Sequence, residues 1–513
     1  MKRTFAVIGF SFMLGLIICN FLLDGKSVYL ALISFVLSAV FMSVGKLRKN
    51  KEICCLFICL FLSSSLFSAV RHYIYNPSLG YADTKCEIEA TVLDTPSISS
   101  GGNYSYLIRT KSINGEKKSV KMRLYVPYDI SSEPYDEITF SAYPFIIGSN
   151  DRGTYLHFRS RGTYLGAYTK YDVRLHTPEK KPFMSVFPTI KLQSMKILGR
   201  LLGEKYAAFS ISLLFGDKIY IDPQVKQDFQ TVGLTHIMAV SGLHMSVWVY
   251  GLYRLLKRVH VGEKKASLIS IAVSLCVVCF SSFSVSVIRA MIMTAVYLSS
   301  GLFSRRSDAL NSLGLSVFLI CAVNPFAVCD VSFLLSVFST LGIILSSETL
   351  SHIRENPKKT RLKTALEIKP VGYAVESLAL SVSAAAFTYP IALGIFGGVS
   401  LISPLVNLLV IPTLAPCLMM SGLMTALPNL GILTDTIGYA LTVFERYIFF
   451  VVEILAKLRL AYAQTDNLVF CVAIPSAVAL AMSVLYSIKD KKLNVTALSV
   501  SASIIIIAIF YYI

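Results

Sequence analysis

Ile53-Cys-Cys-Leu-Phe-Ile-Cys-Leu-Phe-Leu-Ser-Ser-Ser-Leu-Phe-Ser-Ala-Val70 runs for 18 residues without a charge, and Glu87-Ile-Glu-Ala-Thr-Val92, soon after it, alternates polar and apolar at every step. The first pattern has the length and apolarity of a helix crossing a bilayer, which needs roughly 20 such residues. The second is the period-two signature of a half-buried strand. A membrane chain that carries a β domain follows from these two stretches together. The rest of the composition agrees: 54% of the 513 residues are hydrophobic and 15% are charged, where soluble domains carry about 25%.

Further apolar runs occupy Phe5 to Leu23, Val28 to Val44, Ala266 to Phe283, Asn467 to Ile488 and Val495 to Ile513. The first is followed at once by two more, which marks a retained anchor and not a cleaved signal. The formal charge of +18 is concentrated in short loops: Lys46 to Lys51, Arg254 to Lys265, Arg305-Arg306, Arg354 to Lys369 and Lys489 to Lys492. Such loops are expected to stay cytoplasmic, so most of the excess charge reports topology. With Lys2 and Arg3 inside, the N-terminus is cytoplasmic, and residues 71–182 and the C-terminus are extracytoplasmic. The later spans fall at 235–256, 266–283, 285–303, 309–325, 329–347, 372–393, a long broken one at 399–427, then 432–457, 467–488 and 495–513.

This divides the chain into three N-terminal helices (1–70), a β domain (71–182), an amphipathic segment on the outer interface (183–230) and a helical bundle (231–513). The expected fold class is a polytopic α-helical membrane protein with an extracytoplasmic small β-barrel, OB-like domain. Five alternating stretches support the barrel: Glu87–Val92, Tyr104–Arg109, Lys121–Val126, Glu137–Phe140 and, less cleanly, Leu165–Leu175. Oligonucleotide-binding barrels stack bases on aromatics beside basic side chains, and Tyr104, Tyr106, Arg109, Lys121, Arg123 and Tyr125 suit that use. Against it, residues 71–182 hold 15 Lys and Arg and 12 Asp and Glu, a net of +3, weak for a dedicated nucleic-acid domain.

The unusual membrane stretch is Gly233-Leu-Thr-His-Ile-Met-Ala-Val-Ser-Gly-Leu-His-Met245. Polar and ionisable groups in a span are costly and face a cavity or the bundle interior. His236, Ser241, Gly242 and His244 are therefore candidates for a translocation path, as are Arg289 and Asn407. Pro404, Pro412 and Pro416 surround Asn407 and predict a broken helix of the kind that marks transport sites. The plainer role is helix–helix hydrogen bonding for the residues of the 233–245 stretch, snorkelling to the outer interface for Arg289, and a proline-kinked structural span for the segment around Asn407. No catalytic residue is assigned: Ala239 stands where a G-x-S-x-G nucleophile elbow needs its first glycine. No metal site is assigned, because His236 and His244 lack a third ligand at motif spacing. No cofactor is expected; Gly25-Lys26-Ser27 ends like a phosphate-binding loop, but Asn20 replaces the upstream glycine. Cys276-x-x-Cys279 lies inside a membrane run with no second pair and reads as buried apolar filling.

Taken in order, these motifs resemble the ComEC family of competence proteins. Gly233-x-x-His-Ile-x-Ala-Val-Ser-Gly-Leu-His244 looks like that family's signature. Leu214-Phe-Gly-Asp-Lys218, Arg289-Ala290 with Met293, Asn324-Pro325, Ser332-Phe-Leu-Leu-Ser336, Tyr389-Pro390 and Pro404-x-x-Asn407 are similar to its supporting motifs. The resemblance implies a membrane channel for uptake of single-stranded DNA across the cytoplasmic membrane during natural transformation. It implies as partners a surface DNA receptor, a cytosolic ATPase motor and membrane lipids. Many relatives also carry a metallo-β-lactamase-like domain. No His-x-His-x-Asp-His cluster lies in these residues, so a separate nuclease is the expectation for strand degradation.

Two other classes stay open: a small-solute or lipid-linked substrate transporter, and an intramembrane hydrolase using Ser241 and His244. The chain is expected not to be an enzyme. The Ser241→Ala variant separates these classes: the channel reading expects uptake of labelled DNA to persist, whereas a hydrolase would lose its activity outright.

Overall fold

A computed structural model describes residues 3–23, 27–43, 51–98, 102–149, 151–170, 172–302, 307–355, 369–428, 431–459, 461–464 and 495–512. The chain is mostly helical, with one mixed β-sheet in its N-terminal part. Five helical stretches among the described residues are long and apolar enough to cross a membrane: Thr4–Leu22, Lys51–Leu79, Val331–Ser351, Pro370–Phe396 and Ser403–Ala426. The protein is thus a multi-pass membrane protein. Shorter apolar helices occur at Ser27–Leu37, Val285–Ser300 and Ala309–Val323. The expected span 467–488 and the basic loops at 46–49, 305–306, 358–363 and 489–492 lie outside the described residues.

The Lys51–Val70 helix does not end where its hydropathy changes. It continues through a π turn, Arg71–Tyr75, into Asn76–Leu79. The β domain follows as β1 (Cys86–Val92), β2 (Tyr104–Ile113), β3 (Lys121–Val126), β4 (Glu137–Ile146), β5 (Thr163–Tyr168) and β6 (Arg174–His176). The pairing is antiparallel for β1–β2 and β2–β3, parallel for β3–β5, and antiparallel for β5–β4 and β4–β1. These pairings close a five-stranded ring, and β6 adds to β4. Alternate residues fill its interior: Ile88, Ala90, Tyr106, Ile108, Leu124 and Phe140 are all buried, as period-two packing demands.

Three parts of the fold depart from the sequence expectation. The fifth stretch, 165–175, is two strands, β5 and β6, and a helix Arg152–Ser160, capped by Asp151, precedes them. The 399–427 span is not broken: Ser403–Ala426 is one helix with Pro412 and Pro416 inside it. Pro404 sits in its first turn, where a missing N–H costs nothing, and the interruption lies ahead of it, at Gly398–Ser400, a strand paired with Tyr462–Gln464. The 183–230 segment divides. Val186–Leu202 is amphipathic, but Ala207 to Leu213 of the Glu204–Phe215 helix are all buried against the bundle. Only small and apolar side chains occupy that stretch, so every face of the helix tolerates contact.

One side chain fastens the ring to the helices. Arg159, at the end of the Arg152–Ser160 helix, is 4% exposed. Its guanidinium carbon lies 4.2 Å from the ring centroid of Phe326, 4.8 Å from Tyr75, 5.7 Å from Tyr155 and 5.8 Å from Phe67. The Tyr155 and Tyr75 hydroxyls hydrogen-bond each other. Beside this cage Asn324 Nδ2 donates to the Ser160 carbonyl at 2.6 Å, and Arg161 faces Asp330 at 3.8 Å. A desolvated cation–π contact is worth about 2 kcal/mol. Arg159→Ala is therefore expected to loosen the ring, seen as faster limited proteolysis between residues 146 and 176 with the helical signal kept.

Candidate functional site

Residues 234–241, expected to open a span, do not form a helix. The helix starts at Gly242 and runs through a π turn, Ser246–Tyr250, to Arg258. Ser241 is its N-cap, in extended backbone. The Ser241 backbone N and Oγ each lie 3.1 Å from His244 Nδ1. His244 is buried, and its imidazole also hydrogen-bonds the Leu213 carbonyl. Around this centre the sequence motifs converge. Gly216 packs on Val240, and Lys218 Nζ donates to the Thr235 carbonyl at 3.3 Å. Gly233 has φ +79°, and a Cβ there would lie 2.5 Å from Ser403 Cβ and 2.9 Å from Ser400 Cβ. The Tyr389 hydroxyl donates to the Ser400 carbonyl, and Ser400 Oγ donates to the Ala461 carbonyl at 3.1 Å.

Arg289 joins the same site. It is 6% exposed, which rules out snorkelling to a surface. Its Nε donates to Ser336 Oγ at 3.0 Å, Ser336 also contacts Ser286 Oγ at 2.8 Å, and Nη1 lies 3.2 Å from Met293 Sδ. Nη2 would be 4.0 Å from a Cβ on Gly242, so the guanidinium faces the start of the 242–258 helix. Among the described residues no carboxylate pairs with it. Ser241, Gly242, His244 and Arg289 therefore sit together, with Ser336, which the sequence placed in a supporting motif but not among the candidate site residues, as a partner. His236 and Asn407 do not join them. His236 is exposed, with Nδ1 3.1 Å from the Gly233 carbonyl. Asn407 Nδ2 donates to Ser381 Oγ at 3.4 Å across the next helix pair, and its Oδ1 is buried without a partner.

The β domain divides its candidates by strand parity. Tyr104 packs on the ring interior, and Tyr106 is fully buried, its hydroxyl donating to Asp129 at 2.6 Å and accepting from the Ile130 N–H at 2.9 Å. The Tyr106 ring is therefore not free to stack on a base, and Tyr104 is half-buried on the same parity. Arg109, Lys121, Arg123 and Tyr125 face outward. Arg109 and Lys121 are direct cross-strand partners, and like charges so placed repel. Arg123 donates to Ser105 Oγ at 2.7 Å, and no carboxylate pairs with Arg109, Lys121 or Arg123 among the described residues. Burial, then the charges of Arg109, Arg161 and Arg123, hold the Lys121 ammonium below its ordinary value. Continuing across β3, β5 and β4, Tyr125 pairs with Tyr168 and Tyr168 with Tyr143. Phe145 stacks on Tyr125 with ring centroids 6.2 Å apart, over Gly166, where a Cβ would come within 2.7 Å of its ring. Tyr143 is 60% exposed. Tyr143 and Phe145 were missed because the expected strand stopped at Phe140, although the alternation runs on through Pro144; Tyr168 lies in the fifth expected stretch but was not singled out because that stretch alternates less cleanly.

A helical bundle gathered about a Ser-Gly-x-His turn whose histidine is buried, with a β ring seated on it, defines the class as a multi-pass membrane protein. Residues 213–490 match the competence protein family, and the chain belongs to that family, also called ComEC. It is similar to ComE operon protein 3 of Bacillus subtilis (strain 168), at 27% identity over 208 residues. That alignment covers 40% of this chain and spans a quarter of the relative's length. No solved structure matches the chain.

The positive φ of Gly233 and its contact with Ser403 give a test of this convergence. Gly233→Ala is expected to cost more than about 1 kcal/mol, read as a lowered thermal midpoint of the detergent-solubilised protein. Ala at Gly199, where no atom lies within 4 Å of a Cβ, is the neutral control.

Proposed function

We propose that this protein conducts single-stranded DNA across the cytoplasmic membrane during natural transformation. The observation that carries this reading is the outward face of the β ring, where Arg109, Lys121 and Arg123, none paired with a carboxylate among the described residues, lead onto the aromatic strip Tyr125, Tyr168, Tyr143 and Phe145. A cationic track beside exposed rings is what a sequence-tolerant single-strand binder needs. The ring is read as an OB-like barrel, supported by its closed five-strand order and by the parallel pairing of its third and fifth strands. The N-terminus is cytoplasmic, and the ring and C-terminus are extracytoplasmic, on the strength of the basic loops.

In this reading the strand is handed over by a surface DNA receptor, guided along the ring, and passed by Arg289 and the start of the 242–258 helix. That helix end offers N–H groups, and the neighbouring guanidinium offers charge, to a phosphodiester. A cytosolic ATPase motor draws the strand inward, and a separate nuclease disposes of its complement. Ser241 and His244 act as a cap and not as nucleophile and base. The Ser241 N–H donates to His244 Nδ1, which Ser241 Oγ also approaches to 3.1 Å, so the helix backbone already engages that lone pair. A small-solute or lipid-linked substrate transporter remains the competing class.

Two experiments test this. Deleting the gene in a competent strain is expected to abolish uptake of labelled DNA; normal uptake would sink the reading. In the full protein, neutralising Arg109, Lys121 and Arg123 together should weaken single-strand binding and flatten its salt dependence by about 0.7 for each phosphate that is no longer neutralised. Replacing Tyr143 and Tyr168 by Ala should cost about 1–3 kcal/mol per stacked base with the salt slope unchanged.

A further inference from the structure

Glu445, in the Ile432–Ala456 helix, is fully buried inside the bundle. Its Oε1 lies 2.7 Å from Ser210 Oγ on the Glu204–Phe215 helix. Ser210 Oγ lies 3.0 Å from Ser421 Oγ on the Ser403–Ala426 helix, and Ser421 Oγ donates to the Cys417 carbonyl at 2.7 Å. Glu445 Oε2 has no hydrogen-bond partner. Three helices therefore meet on one carboxyl group.

Among the described residues the surroundings supply no counter-charge. The Ser403–Ala426 helix contributes the Cys417 thiol and no charged residue. On the Glu204–Phe215 helix the charges are Glu204 and Lys205, in the first turn, and Lys205 pairs with Glu453 at 3.3 Å. On Val186–Leu202, Lys191 pairs with Asp217 at 2.6 Å, while Lys196 and Arg200 are exposed. On Pro223–Thr231, Asp228 accepts from Gln224 at 2.9 Å, and Lys226 is the remaining charge. On its own helix Asp435 and Arg446 are exposed.

The Ser210 hydroxyl donates to Glu445 Oε1, and Ser421 donates to the Cys417 carbonyl. Glu445 therefore has one donor, while among the described residues its buried Oε2 has none. An ionised carboxylate would hold one hydrogen bond and no cation, a costly arrangement in a buried site. We propose that Glu445 is a proton-binding site of the bundle, loaded while these three helices pack together and emptied when they part. Because packing favours the loaded form, proton release favours opening by the same factor.

An approach from water is present. A cleft of about 960 Å³ opens between the Glu204–Phe215 and Pro223–Thr231 helices and the end of Ile432–Ala456. Phe449, one turn from Glu445 on the same face, lines it and packs edge-on against Phe209 at 5.3 Å. Phe209 lines the cleft as well. The proton site does not depend on what crosses the membrane; its use in driving passage rests on the transport reading above.

The test treats the full protein in liposomes with dicyclohexylcarbodiimide, which adds only to a protonated carboxyl, and locates the adduct by peptide mass spectrometry. Glu445 is expected to be modified at about pH 5 and at least tenfold less at about pH 9, and Glu445→Gln should remove that adduct. A Glu445 left unmodified at both pH values, while the unfolded chain is modified there, overturns the proposal, as does equal modification at both. Labelling needs no DNA, so its failure leaves the DNA reading intact. Normal DNA uptake by the deletion strain would leave the labelling result intact.

Discussion

The seat of Arg159 among four aromatic rings is the constraint on which the arrangement of the two parts depends. Tyr155 comes from the β domain, Phe67 and Tyr75 from the third helical stretch, and Phe326 from the turn before Val331–Glu355. Its Nε and Nη2 make no hydrogen bond, so the ring faces take the place of acceptors. Guanidinium is weakly hydrated for a cation and planar, and it accepts such a site where an ammonium would not. Asn324 and Asp330 work from the same turn, one on the Ser160 carbonyl and the other on Arg161. Without this seat, neither the basic face nor the aromatic strip would keep a fixed relation to the helices.

Inside the bundle the comparable constraint is a packing of side chains onto neighbouring backbone. Leu213, just before the first motif, and Gly216 and Lys218 within it meet His244, Val240 and Thr235 of the next, and Gly233 meets Ser400 and Ser403 of a third. The spacing of the signature residues reflects this: glycine where another chain presses in, serine and histidine where a helix must start without a preceding turn. Arg289 is then placed at that helix start by Ser336, from a different span. The motifs read first as joints, and the buried Arg289 guanidinium is what the joints hold in position.

How much of this was legible follows from the strength of each pattern. In Lys121–Val126 the two parities differ cleanly, Lys, Arg and Tyr against Met, Leu and Val, and the outward residues were identified. In Tyr104–Arg109 tyrosine sits on the buried parity, and since tyrosine suits either face the assignment of Tyr104 and Tyr106 to a surface failed. Pro144 hid the second half of β4, because proline in a run normally ends a strand. The Ser-Gly-Leu-His turn was visible as an oddity within apolar sequence. Its partner Leu213 was not, since a backbone carbonyl leaves no mark in a sequence. Glu445 was invisible for a similar reason: Ser210 lies 235 residues away, and one glutamate in a mixed segment looks like part of a wetted face. The topology drawn from basic loops rests on charge alone.

The closed ring of strands has a consequence for how the domain meets other molecules. Sheets that end in a long open edge offer a row of N–H and C=O groups on which a neighbour's strand can add, the usual start of clumping. Here β1 is paired on both sides, and β6, which adds to β4, is three residues long. A domain of this build can stand close-packed with its own copies without seeding aggregates. It has correspondingly little to offer a partner that docks by lending a strand, and its lasting contacts must be made through side chains.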